Sequence, residues 1–184
     1  PHGVDLAKYR NIDMDFARRP KRAAYVGALD SWFYAEMAAE AARRLPDWRF
    51  EIAGPAGPAA DLAPLRSLPN ARILGPIAHD RVPDFLGQAR IGLIPFRRTA
   101  LIESVHPLKL YEYLAAGLNV VAARWDELER MNAPLRMADT PAGFADAAAE
   151  AALEPCNAAG RAYAAEADWS RRAARLEALI ESLL

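Results

Sequence analysis

A chain of 184 residues, 53% hydrophobic and 26% charged, has the composition of one ordinary globular domain with a substantial core. Its net charge of −1 gives no bulk attraction for nucleic acid or an anionic membrane, and no run of about 20 apolar residues could span a bilayer. Cys156 is the only cysteine, which excludes an intrachain disulfide and suits a reducing cytoplasm.

Residues 6 to 22, including the basic run Arg18-Arg19-Pro20-Lys21-Arg22, have little hydrophobic periodicity. Beyond them short apolar runs alternate with helical patterns, as in a parallel α/β sheet. The first strand is expected over Ala24 to Leu29. Asp30 or Ser31 then caps a helix carrying Phe33, Met37, Ala41 and Leu45 at helical spacing. Trp48 to Ala53 is the second strand, closed by Gly54-Pro55-Ala56-Gly57-Pro58, too rich in Gly and Pro for a regular element. A short helix over Ala59 to Leu68, a third strand over Ala71 to Leu74 and a helix over Val82 to Ala89 follow. Ile91 to Phe96 and Asn119 to Ala123 are the fourth and fifth strands, and Leu135 to Asp139 a sixth. Two helices, about Ala142 to Leu153 and Ala158 to Leu183, finish the chain; the last sets Trp169, Ala173, Leu176 and Ile180 on one stripe. The sum is a Rossmann-like, doubly wound parallel sheet of about six strands, which binds ligands at the carboxyl ends of its strands.

Between the fourth and fifth strands lies the most informative segment, Pro107-Leu108-Lys109-Leu110-Tyr111-Glu112-Tyr113-Leu114-Ala115-Ala116-Gly117. A helix here begins at Pro107, which suits a first helical position, and ends at Gly117, which suits a left-handed cap. Lys109 and Glu112 fall one turn apart on one side, near the free N–H groups of the helix N-terminus. Such N–H groups with an ammonium suit a phosphate, and a carboxylate one turn further in suits a pair of sugar hydroxyls. The pattern points to a nucleotide-sugar site.

The carboxyl-end rule adds other loops. Gly27, after the first strand, lets backbone approach a ligand closely. Gly75-Pro76-Ile77-Ala78-His79 follows the third strand, and Arg97, Arg98, Glu103, Ser104 and His106 follow the fourth. Structural readings compete with function for several: Asp30 as a helix cap, His79 with Asp80 at a helix start, His106 as the cap of the Lys109 helix. Arg97 and Arg98 read either as solvated surface or as partners of a diphosphate, and Lys109 with Glu112 also reads as an exposed ion pair. Tyr111 and Tyr113 are read as core. G-x-G-x-x-G, Walker A and G-x-S-x-G motifs and metal-ligand clusters are all missing from the sequence.

The run P-x-K-x-x-E-Y-x-A-x-G-x-x-V-V, from Pro107 to Val121, resembles the donor-binding signature of GT-B glycosyltransferases of the group 1, family 4-like kind. Tyr25-Val-Gly-Ala-Leu-Asp30, Asp47-Trp-Arg-Phe-Glu-Ile-Ala-Gly54 and Ile91-Gly-Leu-Ile-Pro-Phe96 extend the likeness to roughly residues 20 to 170. The resemblance implies the C-terminal half of a GT-B fold, binding a nucleotide-sugar, UDP-linked by preference, as substrate. Glu112 would then accept hydrogen bonds from the ribose, and Lys109 would meet the diphosphate. Pro76 and Ile77 would hold the nucleobase through backbone groups, with Gly27, Arg97, Glu103, Ser104, His106, Pro107 and Leu108 as further donor contacts. No cofactor or metal is expected, because helix dipole and basic side chains offset the leaving diphosphate's charge.

One departure concerns mechanism. Many retaining GT-B enzymes show two glutamates separated by seven residues; Glu103 and Glu112 are separated by eight, and Ser104 occupies the position required. Retaining and inverting chemistry both stay open, and no catalytic base is assigned. Pro1-His-Gly-Val-Asp5 is similar to the segment that ends the N-terminal domain in this family. Residues 1–22 are therefore expected to be an interdomain linker remnant and 23–184 the donor-binding domain, with the N-terminal acceptor domain absent. The expected partners are the nucleotide-sugar and that acceptor domain, which would dock on the inner face of a membrane; nucleic acid is not expected. A UDP-sugar 2-epimerase of the same architecture and a non-catalytic regulatory α/β module are the alternatives.

Overall fold

A computed structural model describes residues 2–182. Its strands are β1 (Arg22–Val26), β2 (Arg49–Ala53), β3 (Ala71–Gly75), β4 (Ile91–Ile94), β5 (Asn119–Ala123) and β6 (Arg136–Ala138). All pair in parallel in the order β3-β2-β1-β4-β5-β6, with Ala23 opposite Ile91 where the order reverses. β4 and β5 are buried along their whole length, as strands covered on both faces must be, which is why they read as continuous apolar runs. The outer β3 alternates between half-buried and exposed residues.

The helices are α1 (Ala35–Arg44), α2 (Ala63–Arg66), α3 (Val82–Gly87), α4 (Ala100–Glu103), α5 (Leu108–Ala115), α6 (Asp126–Arg130), α7 (Pro141–Leu153), α8 (Ala158–Glu166) and α9 (Trp169–Glu181). α1 packs on α7, and α5 on α8. Tyr25, Phe33, Phe50, Tyr113, Trp125 and Phe144 are fully buried in the core between strands and helices.

The rule-based expectations fail where distant segments intervene. β1 ends at Val26 rather than Leu29, because Gly27 turns the chain at φ 146°. Residues 32–34 then run antiparallel to 95–97: the Tyr34 N–H donates to the Pro95 carbonyl and the Arg97 N–H to the Trp32 carbonyl, both at 2.7 Å. Phe33 is thus extended, α1 starts only at Ala35, and neither Asp30 nor Ser31 caps it. Asp30 Oδ1 instead accepts from the Ser31 N–H at 2.6 Å. Pro107 is an extended N-cap (φ −76°, ψ 114°) rather than the first helical residue. α4, capped by Thr99, and α6 are short helices that no periodicity in the sequence announces.

The last expected helix is two. Val4 inserts at the junction, donating to the Ala167 carbonyl (3.1 Å) and accepting from the Trp169 N–H (3.1 Å). Asp168 caps α9 through the Ser170 N–H (2.8 Å) and also accepts from the Leu6 N–H (3.0 Å). No residue of α9 is buried, so its apolar stripe does not face this core; Leu183 lies outside the described residues, as does Pro1. Residues 2–21 lie along the body, with Val4, Tyr9, Phe16 and Arg19 buried. Arg19 donates to the carbonyls of Asp13 (2.7 Å), Ala89 (2.8 Å) and Ala116 (3.1 Å).

Candidate functional site

Where strand order reverses between β1 and β4, the loops leaving their carboxyl ends diverge and open a crevice. Lys109, in the first turn of α5, lies against the turn after β1 at this point. Its Nζ donates to the Tyr25 hydroxyl at 3.0 Å and lies 4.1 Å from the Tyr25 ring centroid and 4.6 Å from that of Phe96. Burial pushes the Lys109 pKa down to about 7, against an upward pull from Glu112. Gly27 makes room for the ammonium: a Cβ there would stand 2.7 Å from Nζ. The Tyr25 hydroxyl donates onward to the Ala28 carbonyl (2.8 Å), and the Val26 N–H donates to the Tyr113 hydroxyl (2.8 Å), so with the Lys109 contact β1 and α5 are tied together twice.

Glu112 faces a cavity of about 300 Å³ with Lys8, Tyr9, His79, Leu108 and Trp169 among its walls. Burial raises its carboxyl pKa, opposed by His79, Lys109 and Lys8. Among the described residues no hydrogen bond reaches its carboxylate and no ion pair joins it to Lys109, so the exposed pair that the spacing allowed is not formed. The helix instead offers a half-buried cation and, one turn on, a half-buried carboxylate, neither spent on the other. Such a carboxylate suits the two hydroxyls of a vicinal diol, and such a cation suits an anion beside the uncapped N-terminus of α5.

The remaining expected residues divide. His106 does not cap α5; its Nε2 lies 2.9 Å from the Tyr111 hydroxyl and its Nδ1 3.4 Å from Glu127, so both ring nitrogens are engaged. Arg97 lines a separate cleft of about 450 Å³ at the carboxyl ends of β4 to β6, together with Phe96, Arg98, Arg124 and Asp139. Its guanidinium lies 4.3 Å from the ring centroid of Tyr34. Glu103 pairs with Arg98 and accepts from the Asp126 N–H (3.2 Å), which ties α4 to α6 and holds its pKa below the usual range. Ser104 Oγ donates to the Leu101 carbonyl (3.0 Å). Pro76 and Ile77 stand past the carboxyl end of β3, three and two residues before His79, which lines the Glu112 cavity. Phe96 is shared, bounding Lys109 on one side and lining the Arg97 cleft.

Sequence reasoning missed Tyr25, Phe96, Tyr9, Lys8 and Trp169. Tyr25 had a usable signal: a buried phenol near a strand end needs a hydrogen-bond partner. Lys8 and Tyr9 had none, since a 3-10 turn over Leu6–Tyr9 reaches the site only through the fold. Among the described residues no group of His, Cys, Asp or Glu could hold a metal ion, and no helix is long and apolar enough to cross a membrane.

Comparison with known proteins places this geometry in a family. A family model described as glycosyl transferase-like matches residues 30–178. TuaH of Bacillus subtilis (strain 168), a provisionally named teichuronic acid biosynthesis glycosyltransferase, is 33% identical over 112 residues, which are 60% of this chain and 28% of TuaH. AviGT4, a glycosyltransferase involved in avilamycin A biosynthesis, shares the fold with a TM-score of 0.74 at 18% identity, over 96% of this chain and 54% of its own. Anabaena HepE, solved with UDP and glucose, gives 0.73 at 14% identity, over 98% and 55%. The chain therefore spans little more than a quarter of TuaH and about half of each of these solved structures. A family match that runs from the β1 turn into α9, on a fold shared with glycosyltransferases, shows that the chain belongs to the glycosyl transferase-like family, as a domain of GT-B type.

Proposed function

We propose that the chain is the donor-binding part of a nucleotide-sugar-dependent glycosyltransferase that takes a UDP-linked sugar. The diphosphate lies between Gly27, Lys109 and the N-terminus of α5, framed by His106, Pro107 and Leu108. The ribose meets Glu112, and the nucleobase lies toward Pro76 and Ile77. Arg97, on the loop after β4, and Glu103 and Ser104, at the end of α4, stand toward the transferred sugar. One observation carries this reading: α5 presents a cation and a carboxylate, both partly desolvated and neither neutralising the other, at the point where a parallel sheet binds ligands. The UDP complexes of HepE support the choice of base.

Lys109 and the α5 dipole would stabilise the charge that develops on the departing diphosphate. Transfer needs an acceptor-binding half to close over the crevice and exclude water. That half would bring a glycan or lipid-linked acceptor, and the whole enzyme would work in the cytoplasm at the inner face of a membrane. Calorimetric titration of the chain with UDP, GDP and ADP tests the donor site. Glu112→Ala should weaken UDP at least tenfold, the loss expected for charge-assisted hydrogen bonds of about 1.5–3 kcal/mol. Equal UDP affinity in wild type and Glu112→Ala would overturn the reading.

A further inference from the structure

Two phenols join β1 to the helix that carries the site, and one of them, Tyr25, meets Lys109. Tyr25 is fully buried, and its hydroxyl has one proton, which goes to the Ala28 carbonyl at 2.8 Å. Its oxygen can therefore only accept from Lys109 Nζ, 3.0 Å away, while its ring and that of Phe96 present their faces to the same ammonium. Among the described residues no carboxylate pairs with Lys109. A phenol and two ring faces thus hold a cation in place without neutralising it, directly over a glycine whose missing Cβ leaves the space.

We propose that Tyr25 is a positioning residue of the donor site, whose hydroxyl presets the Lys109 ammonium over Gly27 as the cation that receives the nucleoside diphosphate. This rests on the donor-site reading above and adds a residue and a proton to it. The titratable groups around Lys109 are Glu112 on its own helix, Tyr25 on β1 and, through the Val26 contact, Tyr113. With a Lys109 pKa of about 7, a large part of the free protein carries a neutral amine at pH 8. A diphosphate favours the charged form, so binding draws a proton onto Nζ. Removing the Tyr25 hydroxyl takes away an acceptor for the ammonium and pushes the Lys109 pKa lower still, while the ring of Tyr25→Phe preserves packing.

Lysine side-chain NMR resolves the Nζ titration readily, because Lys8 and Lys21 are the only other lysines. Wild type should show a group titrating near pH 7 that vanishes in Lys109→Met and moves acidward by about one pH unit in Tyr25→Phe. UDP affinity, compared between wild type and Tyr25→Phe so that the nucleotide's own titration cancels, should then differ about tenfold at pH 8 and less than about twofold at pH 6. An unmoved Lys109 titration, or a loss of affinity equal at both pH values, overturns the proposal. Wild type that fails to bind UDP overturns the donor reading instead, and the NMR titration still decides whether Tyr25 holds the ammonium.

Discussion

Lys109 is kept at a cost to stability. Its pKa falls from 10.5 to about 7 on folding, chiefly through burial. The unfolded chain therefore binds more protons than the folded one between those values, so stability rises with pH across that window, and the full penalty is present below it. Lys109→Met keeps the stem and deletes the charge. It should raise the melting temperature at pH 6.5 and lose its advantage toward pH 10. At about 1.4 kcal/mol per pKa unit the gain at pH 6.5 is a few kcal/mol. A melting temperature at pH 6.5 that is unchanged or lower would mean that Tyr25 and the two rings fully repay the burial. Glu112 carries a penalty of the same kind, since burial raises its carboxyl pKa above the usual range. Two strained titrations on one helix at a ligand-binding crevice are more readily understood as function than as architecture.

At the scale of elements, α5 is fixed from both ends, and the further end depends on Arg19. Its guanidinium, 4% exposed, takes the Ala116 carbonyl at the C-cap of α5 and the Ala89 carbonyl beyond α3. Arg19→Met would leave both buried carbonyls unpaired and should destabilise the chain by about 2–5 kcal/mol in urea unfolding followed by circular dichroism. A change below about 0.5 kcal/mol would show that the arm is not fastened there. None of this was legible in the run Arg18-Arg19-Pro20-Lys21-Arg22, because an exposed Arg18, a buried Arg19 and an Arg22 paired with Glu51 look alike in sequence. What the sequence disclosed clearly were elements whose signals are local: the apolar runs of β4 and β5, and α5 between Pro107 and Gly117. Lys109 and Glu112 were legible for the same reason, by spacing on one helix. Asp30 has the chemistry of a cap, yet pairing of residues 32–34 with 95–97 delayed the helix beyond its reach. The split between α8 and α9 depends on Val4, more than 160 residues away in sequence, and no periodicity within residues 158–183 could announce it.

At the scale of the molecule, α9 presents the clearest unmet surface. Trp169, Leu176, Leu179 and Ile180 are all about half exposed, on a helix of 13 residues with no buried side chain. Scattered exposed leucines are ordinary, whereas a stripe of them on one helix marks a face that another body covers. In the proposed two-part enzyme that body is the acceptor-binding half. Trp169, the first residue of α9, also lines the Glu112 cavity, so in the proposed enzyme docking against the helix and filling of the donor site would take place side by side. The double substitution Leu176→Glu, Ile180→Glu should change the stability of this chain alone by less than about 0.5 kcal/mol, since neither residue is buried in it. UDP affinity of the chain should also hold. In the full-length enzyme the same pair should lower transferase turnover, because closure that excludes water needs the two halves to meet. If the double variant destabilises the isolated chain, the stripe packs within this domain. If full-length turnover is untouched, the two halves meet elsewhere, and the exposed face of α9 requires a different partner.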